Sequence, residues 1–410
     1  MGRLQMMKRR VFGCLLILLI LLAFPTANAA QALQPRTPDL PPQTPQEVQQ
    51  TESAPQTSAL TALNLPPLKA VLIVGPIDGD NGSWTRQEIA NMELAAQELE
   101  KNGVTVYRFY TPNNNWEQIK AAANGAHFLF YRGHGIYWSD MPYPTVGGFG
   151  LKDRMYSSAE IQRDLKLAKN AIVMIYACFS AGSASNDTIP VTQAEARRRV
   201  GEYSQPFFAL GAGGYFADWF GNAFQQYVRF LFEDKTLGQA YQAFGDYEAG
   251  KTVQTTHPAF PSLPMWLGYD EWYEPKPQWN NAFVGDPNQT LESLFPPAMQ
   301  VSSPAVVAML ESASVSQTAS VRITASNGAT FNWNATVVGS KPAWLTFTAS
   351  GSSVQPMQIT VQPASGTGTY EVQIQVNPVG MTLSNAPQII TVRLIQVNQI
   401  HRVMIPLILR

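Results

Sequence analysis

Cysteine is nearly absent from this chain. Two occur in 410 residues, Cys14 and Cys178, and Cys14 falls within an N-terminal apolar stretch that reads as a removable leader. One thiol remains without it, so the mature chain can form no internal disulfide and is not a small disulfide-stapled domain. Histidine is almost as scarce, with four: His127, His134, His257 and His401. They are scattered, with no His-x-x-x-His or Cys-x-x-Cys spacing, so no metal site and no cofactor is expected. Charge is low as well, at 14% Asp, Glu, Lys and Arg with a formal net of −1. A nucleic-acid partner calls for a basic face, and none is present.

What is there begins with a leader. Arg3, Lys8, Arg9 and Arg10 precede "VFGCLLILLILLAF", and Ala27-Asn28-Ala29 offers a small-residue cleavage site, which defines a signal peptide over 1–29. An uncleaved anchor is the competing reading. Removing its four basic residues from 28 leaves 24 against 29 acidic residues, a net of −5. The mature protein is expected to be secreted, extracellular or cell-surface associated. No later run reaches the roughly 20 apolar residues of a spanning helix, so no membrane contact is expected after signal removal. Residues 30–66 are rich in Pro, Gln, Thr and Ser and lack periodicity, the composition of a linker or removable pro-segment.

From about residue 67 apolar runs alternate with helical patterns. "LKAVLIVG" is a continuous apolar run, as in a strand covered on both faces. Thr85-x-x-Glu88 reads as a capping box, with Ile89, Met92, Ala96 and Leu99 on one helical face and Gly103 as the stop. The strands "VTVYRFY", "AHFLFYRGHG" and "AIVMIYACFS" are separated by the helices "NWEQIKAAANG" and, opened by Ser157-x-x-Glu160, "AEIQRDLKLAKN". "QPFFALGAGGYFA" reads as a further strand, with Trp219, Ala223, Tyr227 and Phe230 marking a long amphipathic helix after it. The expected fold over 67–296 is α/β, a mostly parallel sheet flanked by helices. Residues 298–397 hold only five charged residues and show strict alternation, as at Tyr370, Val372, Ile374 and Val376. That predicts an all-β sandwich over 297–397, with a tail at 398–410.

Ligands in such α/β sheets bind beyond the carboxyl ends of the strands. His134 stands there between Gly133 and Gly135, and Cys178 ends a later strand 44 residues on, room for one crossover. A free thiol with a pKa near 8.5 is mostly protonated at neutral pH, and a nearby imidazole can accept its proton. The backbone N–H groups of Gly135 and Cys178 are the candidate oxyanion donors, worth about 2.7–4 kcal/mol each. Asp218 is a candidate for a substrate-binding acidic pocket preferring Arg or Lys, against which stands a solvated-loop role. Asp286 reads as structural, His257 as a loop residue, and Ser180 as a weaker nucleophile than Cys178.

"FYRGHG" followed by "MIYACFSAG" resembles the His-Gly and Ala-Cys signatures of the caspase-like cysteine peptidases, which include caspases, metacaspases, legumain, clostripain, gingipains and the related CHAT domains. "NAFVGDP" at 281–287 is similar to the segment closing gingipain-type domains, and the likeness covers about residues 68–290. It implies His134 as general acid/base, Cys178 as nucleophile and Gly135 as oxyanion donor. It also puts Asp78 and Asp80, after the first strand, where the family often places specificity residues, so that with Asp218 they are substrate-binding candidates, each against a solvated-loop role. The substrate would be a protein or peptide. "CFSAG" departs from the "CRG" of caspases, and aspartate specificity is not implied. The competing implication is a degenerate caspase-like scaffold that binds partners at the cell surface, with an inert Cys178. The C-terminal region, with "FNWNATVVGSKPAWLTFTASG" and "GTYEVQIQV", resembles a BACON-type immunoglobulin-like module. That implies glycan or cell-surface contact through 297–397, with Trp333 and Trp344 either stacking on sugars or forming core.

Overall fold

The computed structural model describes residues 63, 65–138, 145–271 and 278–399. The expected signal peptide, nearly all of the linker, His401 and the end of the tail lie outside the described residues. Leu63 and Leu65 rest against the core, so ordered packing starts just before residue 67. Among the described residues no helix is long and apolar enough to cross a membrane.

Eight strands form the central sheet: β1 (Lys69–Val74), β2 (Thr105–Tyr110), β3 (Ala126–Arg132), β4 (Leu167–Tyr176), β5 (Gly214–Asp218), β6 (Thr252–Thr256), β7 (Pro264–Asp270) and β8 (Gln278–Gly285). Their spatial order is β6-β7-β8-β5-β4-β3-β1-β2. The five strands from β2 to β5 run parallel, and β8, β7 and β6 extend the sheet antiparallel. The apolar runs in β1, β3 and β4 follow from this place in the middle, where both faces are covered. Helices α1 (Ser83–Lys101), α2 (Trp116–Ala123), α3 (Ser158–Asp164), α4 (Gln193–Ala209), α5 (Ala223–Phe232) and α6 (Leu237–Ala243) supply the cover.

Strand alternation sorts the aromatic residues between the two faces. Phe130 packs on Phe224 of α5 with ring centroids 5.5 Å apart. Its neighbour Tyr131 stacks at 4.3 Å on Phe149, which in turn meets Phe207 of α4. The last residue of β3, Arg132, falls on the Phe130 side and is wholly buried.

The expected helix "AEIQRDLKLAKN" ends at Asp164, and Leu167–Asn170 already belong to β4. Two further sequence readings are corrected. Gln205–Ala209 is the end of α4 and not part of a strand, which begins only at Gly214. Thr192 caps α4 by accepting from Glu195 N–H, and Val200, Tyr203, Ser204 and Phe207 recur at helical spacing on its buried face. That periodicity outweighs the strand-like composition of "PFFAL". The second correction concerns α1, which starts at Ser83 behind Gly82 with no side-chain cap of its own. Thr85 and Glu88 are both buried inside the helix, so the expected capping box is absent. The Ser157/Glu160 box does form.

Buried apolar residues from Met299 to Leu394 make a second core, separate from that of Leu68–Phe295. A five-stranded sheet orders Ala305–Glu311, Gln388–Val397, Gly368–Val379, Asn332–Val337 and Ser350–Ser352, and a three-stranded sheet orders Gln317–Val321, Met357–Val361 and Leu345–Phe347. The protein is therefore an α/β sheet flanked by helices, followed by an all-β sandwich. Trp333 is 2% and Trp344 8% exposed. Both are core side chains, which removes them as sugar-stacking platforms.

Candidate functional site

The parallel register brings His134 and Cys178 to one edge. Arg132 pairs with Tyr176 across β3 and β4, and Gly133 N–H extends the ladder to the Tyr176 carbonyl at 3.1 Å. His134 and Cys178 stand two residues beyond that pair on their respective strands. Gly135 makes the close approach possible. A Cβ there would come within 1.9 Å of the Cys178 carbonyl oxygen and 3.0 Å of its nitrogen, so only glycine fits without moving backbone.

One hydrogen bond orients the imidazole and another holds the backbone that carries it. The ring Nε2 lies 3.0 Å from the carbonyl oxygen of Ile77, in the loop after β1. A carbonyl oxygen only accepts, so Nε2 carries the proton and Nδ1 is the basic nitrogen of the neutral ring. Tyr131 Oη donates to the His134 carbonyl at 2.9 Å and accepts from Gly150 N–H at 2.8 Å, which fixes the backbone beneath the ring. Sequence reasoning missed both supports, because a carbonyl carries no residue signal and Tyr131 reads as core.

Cys178 is fully buried, with Sγ 3.8 Å from Ser185 Oγ. The next residue, Phe179, has φ 71°, a left-handed conformation that a non-glycine residue holds at a cost of about 1–3 kcal/mol. The tight turn that imposes it is closed by Phe179 N–H to Ser183 O at 2.8 Å and Gly182 N–H to Phe179 O at 3.1 Å. Ser180 Oγ donates to Ala177 O at 2.7 Å, which makes it a turn residue. Arg199 of α4 clamps this loop from outside. It donates to both oxygens of Asp187 at 2.9 Å and to Gly182 O at 3.1 Å, and its guanidinium lies 5.1 Å from the Phe179 ring centre. Nothing in the sequence beyond the run Arg197-Arg198-Arg199 marked it.

The three aspartates are not gathered. Asp78 accepts from Thr85 N–H at 2.9 Å, Trp84 N–H at 3.0 Å and Thr85 Oγ1 at 2.9 Å, and so supplies the missing cap of α1. Burial works to raise its pKa, but these donors outweigh it and hold the carboxyl at about 2. Asp80 accepts from Thr111 Oγ1 and pairs with Lys152 at 3.5 Å. Asp218 ends β5, on the far side of Cys178 from both, and is wholly buried. It accepts from Phe220 N–H at 2.9 Å and Tyr227 Oη at 2.7 Å. Burial pushes its carboxyl up to about 7 against those bonds and the nearby Arg132. Arg132 itself pairs with buried Glu88 at 2.5 Å and donates to Gly221 O at 2.6 Å.

The other histidines stand elsewhere. His127, near the opposite end of β3, accepts from Lys69 N–H at 3.1 Å. His257 is buried, which pushes its pKa down to about 4, and its Nδ1 accepts from Ala259 and Phe260 N–H. Asp286 caps the turn at Asn288, as its structural reading expected. Among the described residues no group of three or more His, Cys, Asp or Glu is set to hold a metal ion.

No family model and no curated protein matches the chain. Among solved structures it is similar to a GH5 xyloglucanase from Bacteroides ovatus in complex with a XXXG heptasaccharide, at 15% identity over 24% of this chain and 19% of that one, TM-score 0.18. It is also similar to a protein from Bacteroides ovatus described as carbohydrate-binding, at 11% identity over 24% of this chain and 36% of that one, TM-score 0.20. Both overlaps are well short of two thirds of those chains, and likenesses this low carry no argument.

Proposed function

We propose that the protein is an exported cysteine endopeptidase in which Cys178 attacks a peptide carbonyl and His134 manages the proton. The observation that carries this reading is the convergence of His134, Gly135 and Cys178 on one sheet edge, with the ring oriented through Ile77 O. The Cys178 proton passes to His134 Nδ1 as the sulfur bonds to the carbonyl carbon. Collapse of the tetrahedral intermediate breaks the C–N bond, and the imidazolium gives its proton to the leaving amine. Water, deprotonated by the neutral imidazole, then hydrolyses the thioester and returns the thiol. Gly135 and Cys178 N–H are the donors proposed for the oxyanion.

A second reading, a catalytically silent scaffold with a binding role at the cell surface, is favoured by one observation: the Cys178 side chain is buried. A thiol-directed active-site probe separates the two. Labelling of Cys178 that is lost in His134→Ala, with peptide cleavage lost in Cys178→Ala, supports the peptidase. Cleavage that survives both substitutions removes it. For the β-sandwich we propose a spacing or surface-contact role, without Trp333 or Trp344 as sugar platforms.

A further inference from the structure

A cavity of about 370 Å³ adjoins the site, and the proposed proton transfers make no use of it. Two of its walls continue the catalytic segments. Tyr137 follows His134 by three residues, and Phe179 follows Cys178 directly, their ring centroids 5.4 Å apart. The third wall is the segment after Ser185, whose hydroxyl lies 3.8 Å from Sγ. Glu195 and Arg199 close the cavity from α4. Its volume falls within the roughly 300–1,000 Å³ typical of ligand pockets, with room for an aromatic ring.

The charges around it are already engaged. Both oxygens of Asp187 accept from Arg199 at 2.9 Å. Both oxygens of Glu195 accept from Arg198 or Arg199 at 2.8 Å. A cationic side chain entering here would share carboxylates that already accept from Arg198 or Arg199. An acidic one would meet Asp187 and Glu195 with their arginines already committed. Either would lose its hydration for partners whose charge is already largely balanced. Phe179 is itself buried under Arg199 and forms the floor, so the accessible apolar lining comes from half-buried Tyr137, Val191 and Ile189, which is 73% exposed at the rim. A large exposed aliphatic beside a half-buried tyrosine, in a cavity next to Cys178, is suited to an apolar group.

We propose that this cavity is a substrate subsite for a bulky uncharged side chain of the phenylalanine, tyrosine, leucine or methionine class, placed next to the bond that Cys178 attacks. The inference rests on the peptidase reading and replaces the basic preference expected from Asp78, Asp80 and Asp218. Its test is a peptide library cleaved by the full chain, with Cys178→Ala as control. At one position beside the scissile bond, Phe, Tyr, Leu and Met are expected to exceed Arg, Lys and Asp by about tenfold or more in kcat/KM. Ile189→Asp, a change at an exposed site, is expected to reduce that advantage about tenfold. Cleavage that prefers Arg, Lys or Asp at every position, or a profile untouched by Ile189→Asp, overturns the subsite and leaves the peptidase reading standing. No cleavage of any library member overturns both.

Discussion

His134 Nε2 lies 3.0 Å from the Ile77 carbonyl oxygen, so the loop after β1 sets the tautomer of a ring carried on β3. Iodoacetamide labelling of Cys178 at neutral pH should depend on that ring. His134→Ala is expected to slow labelling at least tenfold and to lower kcat/KM by about 10²–10⁴. Labelling as fast as in the parent chain would take the base away from His134.

Gly135 touches the Cys178 backbone more closely than any Cβ allows. Gly135→Ala is expected to cost about 1–3 kcal/mol of stability and to abolish turnover while the circular dichroism spectrum stays native. Parent-level activity would show that the two segments separate freely.

Arg132 and Glu88 form an ion pair with no solvent contact beneath the site. Glu88→Ala strands a buried guanidinium and should destabilise the fold by about 3–5 kcal/mol in urea titration. A loss under 1 kcal/mol would mean that the carbonyls of Phe220 and Gly221 suffice for the charge.

Asp218 has a folded-state pKa near 7, above its ordinary value of 3.8. Between about pH 4 and 7 the folded carboxyl keeps its proton and the unfolded one has lost it. The unfolded state therefore binds fewer protons there, and stability falls as pH rises, on the order of 1.4 kcal/mol per unit. Denaturation curves at several pH values should show a shallower fall in Asp218→Asn. An unchanged slope would assign the effect to another group, of which Asp246, also raised by burial, is the nearest in kind.

Strands β1, β3 and β4 were legible because continuous apolar runs such as "AVLIV" and "AIVMI" have one economical fate, burial on both faces, whereas the antiparallel strands β6, β7 and β8 were not read as strands. The β-sandwich was legible from alternation and from its near absence of charge. Helix α4 was not, since its last turn is built from residues that favour strands, and the helical spacing of Val200, Tyr203, Ser204 and Phe207 outweighs them. Asp78 was misread for a related reason: a loop aspartate looks available until the N–H groups it accepts from are placed.

Sequence alone therefore marked the apolar strands of the sheet, the alternation of the sandwich, a histidine and a cysteine at the ends of two strands, and Cys178 as the one cysteine outside the N-terminal apolar stretch. Tertiary structure decided the rest. It placed Ile77 O against the ring, turned Asp78 into a helix cap, buried Asp218, and engaged Asp187 and Glu195 with arginines. Composition and periodicity report which residues leave water, a local property of the chain. Which polar group meets which depends on contacts between segments far apart in sequence, and those exist only once the sheet has closed its register.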